Sequence, residues 1–201
     1  MSKGSNLSVA DLPNFILDPT GGMGAQFNAL GLRDYHAAAS HGWRLPYGRN
    51  SDRSGFRLVL REERGTCSTK HALLAEVARE HRLSVDLLLG IYEMDENKTR
   101  GVGEALRRYG LARVPEAHCY LAYRGTRVDL TRAGQTVKPA EFFLCEERIE
   151  PCQIGVYKLK RHRRFVRKWA TEQGLDFDRV WWAREECIGA LAGIVPKEGT
   201  S

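Results

Sequence analysis

A cysteine stands where a helix is predicted to begin, in the segment Gly65-Thr66-Cys67-Ser68. Apolar side chains recur at helical spacing after it, which predicts a helix over residues 67–80. Thr66 is of a type that caps helix N-termini. Unpaired amide groups and the positive end of the helix dipole gather at such a terminus, and both stabilise a thiolate. Cys67 is therefore a candidate nucleophile, and the competing interpretation is a small buried side chain without chemistry.

A histidine and an aspartate share a predicted β-hairpin further along the chain. Residues 118–123 and 127–130 are typical of two strands around Arg124-Gly125. If those two residues form the loop, the numbers of cross-strand partners sum to 249, and Asp129 becomes a diagonal neighbour of His118 on one face. A three-residue loop would move Asp129 to the other face. The hairpin predicts an imidazole oriented by a carboxylate, and the alternative is a surface hairpin whose two side chains face water.

These are the groups that nucleophilic cysteine catalysis needs: an ionised thiol, a base beside it, and a third group that orients the base. The chain carries Gly65-Thr66-Cys67, His118 and Asp129-Leu130-Thr131 in that order. In this it resembles the transglutaminase-like branch of the papain-like cysteine enzymes. That family shares a Gly-x-Cys that opens a helix, a histidine on a strand, and an aspartate followed by x-Thr on the next strand. The resemblance covers about residues 55–131.

The resemblance implies an α+β fold with a papain-like, transglutaminase-type core, in which helices pack around an antiparallel β-sheet. It implies Cys67 as the nucleophile, His118 as the general base and acid, and Asp129 as the orienting carboxylate. It also implies acyl transfer on a peptide, protein or small amide substrate. We expect hydrolysis rather than crosslinking, because no lysine-accepting groove is indicated. Many family members carry a bulky aromatic residue after the cysteine or the histidine, whereas this chain has Ser68 and Cys119, a difference that bears on the substrate cleft.

Two residues beside the cysteine are candidates for support of the site. His71 follows Cys67 at i+4, on the same face of the predicted helix, and could contact the sulfur directly. No carboxylate is obviously placed to orient His71, so His118 is the preferred base. Lys70 and His71 are instead expected to hold the thiolate electrostatically.

The donors that would stabilise an oxyanion are left open by the sequence. The backbone N–H of Cys67 is one candidate, because a helix N-terminus presents free donors to a developing negative charge. A side-chain donor from Gln26, Tyr47 or Asn50 is another, since these are upstream polar groups near loops or helix ends. Each of the three is equally well interpreted as a turn or capping residue.

A metal site formed by Cys67, His118 and Cys119 is a competing interpretation. The chain contains no Cys-x-x-Cys, and adjacent residues on a strand point to opposite faces. We therefore expect neither a metal nor another cofactor.

The remaining sequence predicts one mixed domain of helices around an antiparallel sheet over residues 25–201, preceded by a flexible lead-in over 1–24. A C-terminal helical extension is expected from about residue 160. Further helices are predicted at 26–42, 103–109, 162–172 and 176–192, and further strands at 56–60, 85–92 and 154–159.

Composition limits the classes of protein. The chain has 201 residues, of which 42% are hydrophobic and 28% charged, values near those of a globular protein with its own core. No apolar run approaches the length of a membrane helix, and the first residues show no secretory signal. Five cysteines, an odd number, argue against a disulfide framework. We expect a cytoplasmic protein without a membrane partner.

Positive charge is concentrated in one segment. Residues 158–168 contain seven of the 31 basic residues and no acidic residue, and the remaining 24 face 25 acidic residues. The segment is predicted to be a helix with a narrow apolar stripe, which favours a solvated face. Two alternatives to the enzyme stay open: a catalytically inactive fold of the same type that binds a protein partner, and a nucleic-acid-binding module that uses residues 158–168.

Overall fold

A computed structural model of the protein describes residues 8–133 and 143–193. The helices are α1 (Gly22–Ala29), α2 (Tyr35–Arg44), α3 (Leu58–Arg61), α4 (Cys67–Glu80), α5 (Gly103–Arg108), α6 (Val156–Glu172) and α7 (Phe177–Leu191), and the strands are β1 (Asp86–Met94), β2 (Val114–Tyr123), β3 (Thr126–Val128) and β4 (Cys145–Ile149). Two short 3-10 helices cover Val9–Asp11 and Pro151–Ile154. The predicted α+β class is confirmed.

The four strands form one antiparallel sheet in the order β3-β2-β1-β4. The hairpin register is the predicted one, since Tyr123 pairs with Thr126 and Leu121 with Val128 across a two-residue loop. Arg124 and Gly125 both adopt positive φ, at 49° and 80°, which is the backbone that a tight two-residue hairpin requires. β3 ends at Val128, so the outer edge of β2 is left uncovered from Tyr120 toward its N-terminal end.

Helix α4 lies at the centre of the larger core. Each residue from Cys67 to Ala78 is buried, because the helix packs against β2 of the sheet as well as against α1 and α2. Such all-round burial explains why the helix carries apolar or small side chains on nearly every face. The residue that opens this helix, Cys67, is therefore held by packing on several sides.

A second apolar cluster joins the C-terminal helices to the sheet. Its members on α6 are Val166, Trp169 and Ala170, and they meet Val114 at the start of β2 and Val180 on α7. These contacts make α6 and α7 part of the folded body. The helix α6 begins at Val156, somewhat earlier than the predicted extension from about residue 160.

Several predicted elements differ from the structure. The strand predicted at 56–60 is wrong, since the chain forms α3 there, and the strand predicted at 154–159 is the end of a 3-10 helix and the first turn of α6. Short apolar runs do not separate strand from helix by periodicity alone. The helix predicted at 26–42 is two helices, α1 and α2, with Gly31 at φ 79° between them.

The described part of the predicted lead-in packs onto the body. Leu12 and Leu17, which lie in the segment predicted as a lead-in, are buried in the main core. The strand β4 was not predicted, because its sequence Cys-Glu-Glu-Arg-Ile is mostly charged and lies at an edge of the sheet. No helix among the described residues is long and apolar enough to cross a membrane.

Candidate active site

The N-terminus of α4 is fixed by a dense set of hydrogen bonds. Thr66 is the N-cap, and its hydroxyl and that of Thr69 each accept a backbone N–H of the other residue. The hydroxyl of Thr69 also donates to Oδ1 of buried Asn50 at 2.9 Å, and Nδ2 of Asn50 donates to the carbonyl of Arg64 at 3.0 Å. These bonds fix the backbone at the start of α4 and thereby the direction of the Cys67 side chain.

The side chains of His118 and Asp129 are hydrogen-bonded to each other. Nε2 of His118 lies 2.7 Å from Oδ2 of Asp129, and because a carboxylate only accepts, the proton is on Nε2. The other oxygen of Asp129 accepts the backbone N–H of Thr131 at 2.9 Å and also the Thr131 hydroxyl. The Asp-x-Thr motif thus forms a local turn that holds the carboxylate toward the imidazole.

The sulfur of Cys67 meets the imidazole at the open edge of β2. The charged side chain of His118 and the backbone N–H of Cys119 lie near enough to the Cys67 sulfur to lower the pKa of its thiol. This N–H is available because β3 pairs with β2 only as far as Leu121. A short edge strand therefore creates the place where the helix N-terminus and the strand histidine meet, so Cys67, His118 and Asp129 form one continuous chain of contacts.

Electrostatics favour an ion pair between the thiol and the imidazole. Burial raises the pKa of Cys67, but the charge of His118, that of Lys158 and the hydrogen bonds from His118 and Cys119 outweigh it and lower this pKa to about 6. Burial lowers the pKa of His118, whereas the charges of Asp129 and Cys67 and their hydrogen bonds raise it well above its ordinary value. Both shifts favour a thiolate beside an imidazolium.

The aspartate stays ionised throughout the neutral range. Burial raises the pKa of Asp129, but the charge and hydrogen bond of His118, then His71 and Thr131, lower it well below its ordinary value. Only 5% of the Asp129 side chain is exposed, against 15% for His118. The ring of His118 is further restrained between Tyr92 and Tyr120, each with its ring centroid 6.2 Å away.

His71 bridges the helix to the hairpin. Its Nε2 accepts the backbone N–H of Leu130 at 2.8 Å, so Nδ1 carries the proton and donates to the carbonyl of Cys67, also at 2.8 Å. Burial lowers the pKa of His71 to about 4, with Asp129 opposing that change. Both ring nitrogens of His71 are occupied by backbone groups, so this ring connects α4 to the hairpin and has no nitrogen free for the sulfur.

Lys70 connects two segments of the chain through hydrogen bonds. Its ammonium donates to the carbonyls of Leu45 at 2.5 Å and Thr131 at 2.9 Å, and burial lowers its pKa to about 8. It joins the end of α2 to the turn after Asp129. The cation that faces the sulfur is a different lysine.

That lysine is Lys158, in the first turn of α6. Its Nζ lies 2.6 Å from the hydroxyl of Ser68, the residue after Cys67. Burial lowers the pKa of Lys158, but the charges of Cys119, Cys67 and Glu116 outweigh burial and raise it. The sequence analysis missed this role. A signal existed, because Lys158 lies one turn before His162, and His162, Val166 and Trp169 form the buried face of α6.

The structure gives different positions to the three side chains predicted as oxyanion donors, Gln26, Tyr47 and Asn50. Tyr47 lines both cavities that reach Cys67. The side chain of Asn50 is already hydrogen-bonded to Glu62, the carbonyl of Arg64 and Thr69. Gln26 is exposed on α1, whose N-terminal N–H groups bond to Glu80 at the far end of α4, so Gln26 does not reach the site.

Backbone donors are present at Cys67 itself. Cys67 and Ser68 occupy the first two positions of α4, where helical N–H groups have no intrahelical acceptor. Neither N–H has a hydrogen-bond partner among the residues that the structure describes. Both are therefore free to bind an oxyanion formed at the sulfur.

A cleft leads to the sulfur although only 6% of Cys67 is exposed. One cavity of about 290 Å³ and a second of about 450 Å³ both have Cys67 in their wall. Within the described ranges no group of three or more His, Cys, Asp or Glu side chains is arranged to hold a metal ion. The arrangement can activate a thiol and give it access to a bound molecule.

Most of the basic segment is engaged within the protein. Besides Lys158, Arg161 pairs with Glu147 at 2.8 Å, and the guanidinium groups of Arg163 and Arg167 lie over the ring of Phe177. Aromatic contacts of this kind hold arginine side chains against the surface. These contacts favour the solvated-face interpretation of α6 over a surface built for nucleic acid.

The chain was compared with family models, with curated proteins and with solved structures, and none of them matches. The function is therefore argued from the geometry of the cysteine, the histidine and the aspartate.

Proposed function

We propose that the protein is a cysteine enzyme of acyl transfer, with Cys67 as the nucleophile, His118 as the general base and acid, and Asp129 as the orienting carboxylate. The observation that carries this proposal is the position of the His118 ring, whose Nε2 lies 2.7 Å from Asp129 and whose charge lowers the pKa of the nearby Cys67 thiol. A buried cysteine kept only for packing needs neither a charged imidazole nor a cleft beside it.

The same proposal extends to the fold. A helix that begins with the nucleophile, packs on an antiparallel sheet, and meets a histidine on one strand and an aspartate after the next supports a papain-like core of the transglutaminase type. The chain order Cys67, His118, Asp129 agrees with it. The substrate class that follows is an amide or a peptide, and the reaction is hydrolysis.

The chemistry follows from the geometry. The Cys67 thiolate attacks the carbonyl carbon, a carbon–sulfur bond forms, and the carbonyl electron pair moves to oxygen, where the N–H groups of Cys67 and Ser68 receive it. The imidazolium of His118 then protonates the leaving nitrogen as the carbon–nitrogen bond breaks, which leaves a thioester. Water, deprotonated by the neutral imidazole, attacks the thioester carbon. The carbon–sulfur bond breaks, the carboxylic acid is released, and the thiolate of Cys67 and the imidazolium of His118 are restored.

The proposal predicts an unusual pH profile for alkylation of Cys67 by iodoacetamide. Because only the thiolate reacts, the rate rises with pH through the pKa of the thiol, so we expect a midpoint near 6 rather than the roughly 8.5 of an ordinary cysteine. Rates are measured from pH 4.5 to 9 by mass spectrometry of the peptide that contains Cys67, and exposed Cys152 serves as a reference thiol in the same sample.

The midpoint is more informative than a single rate at neutral pH, because a thiolate of low pKa is also a weaker nucleophile. Turnover should fall again at high pH, where His118 loses the proton that the leaving group needs. A Cys67 midpoint equal to that of Cys152 would remove the enzyme proposal.

Lys158 is predicted to contribute to the same midpoint. Lys158→Met removes the charge with little change in side-chain length, and loss of a cation close to the sulfur should raise the Cys67 midpoint by about one pH unit. The control is Lys160→Met, which removes the same charge from an exposed position of the same helix and should leave the midpoint unchanged. Equal midpoints in the two variants would show that Lys158 only supports packing.

A further inference from the structure

The cleft is divided at the nucleophile. The two cavities share Tyr47, Cys67, Glu116 and Ile188 in their walls, so the sulfur lies at their junction and α7 forms part of the boundary. An amide bond held at the sulfur would therefore extend into both cavities, with its acyl part in one and its amine part in the other.

The position of His118, the general acid of the proposed function, indicates which part of the substrate lies in which cavity. His118 lines only the second, larger cavity, whereas Ser68 and Lys158 line only the first. The proton that His118 delivers goes to the leaving nitrogen, so under the proposed function the leaving amine lies in the second cavity and the acyl group in the first. This assignment rests on the proposed function.

Charge is balanced differently in the two cavities. In the first, Arg49 pairs with Glu185 at 2.7 Å, and Arg184 holds Glu116 through two hydrogen bonds, one of 2.8 Å. Lys158 is bonded to Ser68. Arg53 lines this cavity as well and has no ion pair in the described ranges, but three carboxylates, those of Asp52, Glu116 and Glu185, lie in the same wall. Most of the positive charge near the acyl side is therefore balanced within the cavity.

Two arginines of the second cavity have no neutralising carboxylate among the residues that the structure describes. Arg100 and Arg132 line it, and neither forms an ion pair with a carboxylate in the described ranges. Its one lining carboxylate, Glu116, is already held by Arg184. Lys98 also lines the cavity, but it pairs with Asp95 at 3.3 Å.

Arg132 is held in place at this wall. Its guanidinium carbon lies 4.2 Å from the centre of the Tyr47 ring, and one of its nitrogens donates to the carbonyl of Leu191 at the end of α7. Stacking fixes the plane of the guanidinium, and a fixed fork of donors suits a carboxylate. The arginine is three residues after Asp129, which places it next to the reacting groups.

We propose that the substrate is an amide whose leaving amine carries a carboxylate, as in an amino acid or the C-terminal residue of a peptide, and that Arg132 and Arg100 bind that carboxylate. The two arginines are specificity residues, and they leave the chemical steps to Cys67 and His118. A neutral amine of the same size would leave both guanidinium groups without a partner in the cleft.

A matched pair of alkylating probes tests this directly. Bromoacetyl-glycine and bromoacetyl-glycinamide differ only in a carboxylate against a carboxamide, and each forms a carbon–sulfur bond with Cys67 as bromide leaves. At low ionic strength we expect bromoacetyl-glycine to alkylate Cys67 of the wild-type protein about tenfold faster than bromoacetyl-glycinamide does. The ratio of the two rates at Cys152 in the same sample is the reference. In Arg132→Gln this preference should disappear, and in Arg100→Gln it should fall.

The control is Arg164→Gln, an exposed position on α6 that should keep the preference. Near-ultraviolet circular dichroism checks the folding of each variant, and Arg100→Gln, a change on an exposed loop, decides the matter if Arg132→Gln fails to fold. The inference is overturned if Cys67 shows no preference, if both arginine variants keep it, or if only Lys158→Met removes it, since the anion would then lie in the first cavity.

This outcome is distinguishable from failure of the enzyme proposal. Fast, low-pH labelling of Cys67 without a carboxylate preference would reject only the substrate class. Labelling of Cys67 with the pH dependence of Cys152 for both probes would reject the enzyme proposal and the substrate class together.

Discussion

His118→Gln is expected to move the midpoint of Cys67 alkylation from about 6 to about 8.5 or above, the range of an ordinary or buried thiol. The imidazolium supplies the largest charge that opposes burial of the thiolate, together with a side-chain hydrogen bond. Without it, burial dominates and the thiol stays protonated at neutral pH. Hydrolysis of an amide substrate should fall by roughly 10²–10⁴-fold, the usual contribution of a positioned acid or base.

Glutamine is the informative replacement because its amide N–H can still donate to Asp129. Removal of the ring by alanine would leave a carboxylate that is 5% exposed without its partner, at a cost of about 3–5 kcal/mol in folding free energy. His41→Gln on α2 provides the matched control for loss of a histidine away from the cleft. An unchanged midpoint in His118→Gln would mean that the sulfur is activated by another group.

The sequence was sufficient for the parts of the site that depend on local signals. The helix α4 begins at the predicted Cys67 because a capping residue precedes a run of helix formers. The hairpin register followed from the two-residue loop at Arg124-Gly125, which allows only one pairing. The proximity of His118 to Asp129 is a consequence of that register.

What the sequence left open depends on contacts between distant segments. The sequence predicts oxyanion donors and thiolate support near Cys67 or upstream of it, at residues such as Asn50 and Lys70. In the structure both side chains are occupied by groups that no local pattern identifies. Lys158 reaches the site from 91 positions away in the chain, because α6 packs across the start of β2. The sequence groups the charge of Lys158 with the other basic residues of 158–168, which are predicted to lie on a solvated helix face.

The error at residues 154–159 has the same origin. The segment Ile154-Gly155-Val156-Tyr157 is rich in β-formers, but Ile154 and Val166 belong to two different apolar clusters that α6 connects. The first turn of α6 exposes Val156, Tyr157 and Leu159, and the buried contacts of the helix come later, at His162, Val166 and Trp169. The helix that these contacts hold turns Lys158 toward Ser68. The wrong strand prediction and the unpredicted role of Lys158 therefore have one cause, which is that no helix was predicted over residues 156–159.

Asp129→Asn tests the orientation of the imidazole with almost no change in volume. Oδ1 of Asp129 is fixed by two donors of Thr131, so the introduced amide must keep its oxygen there and turn its nitrogen toward His118. Two donors would then face each other unless the ring gives up its Nε2 proton and carries one on Nδ1, the nitrogen that has to serve the sulfur. In a hydrolytic triad of this type, the same change costs about 10⁴-fold in turnover through the wrong tautomer.

We expect a loss of that order in amide hydrolysis, with a raised Cys67 midpoint, because without the carboxylate the imidazolium is no longer stabilised. Thr131→Val is the graded companion: it removes the hydroxyl donor but keeps the backbone N–H, and loss of one hydrogen bond worth about 1 kcal/mol corresponds to roughly a fivefold effect. A structural role for Asp129 would lower the thermal stability of Asp129→Asn and leave the midpoint of the folded fraction unchanged. A role in orienting the base moves the midpoint in protein that is still folded, so the two readouts separate the explanations.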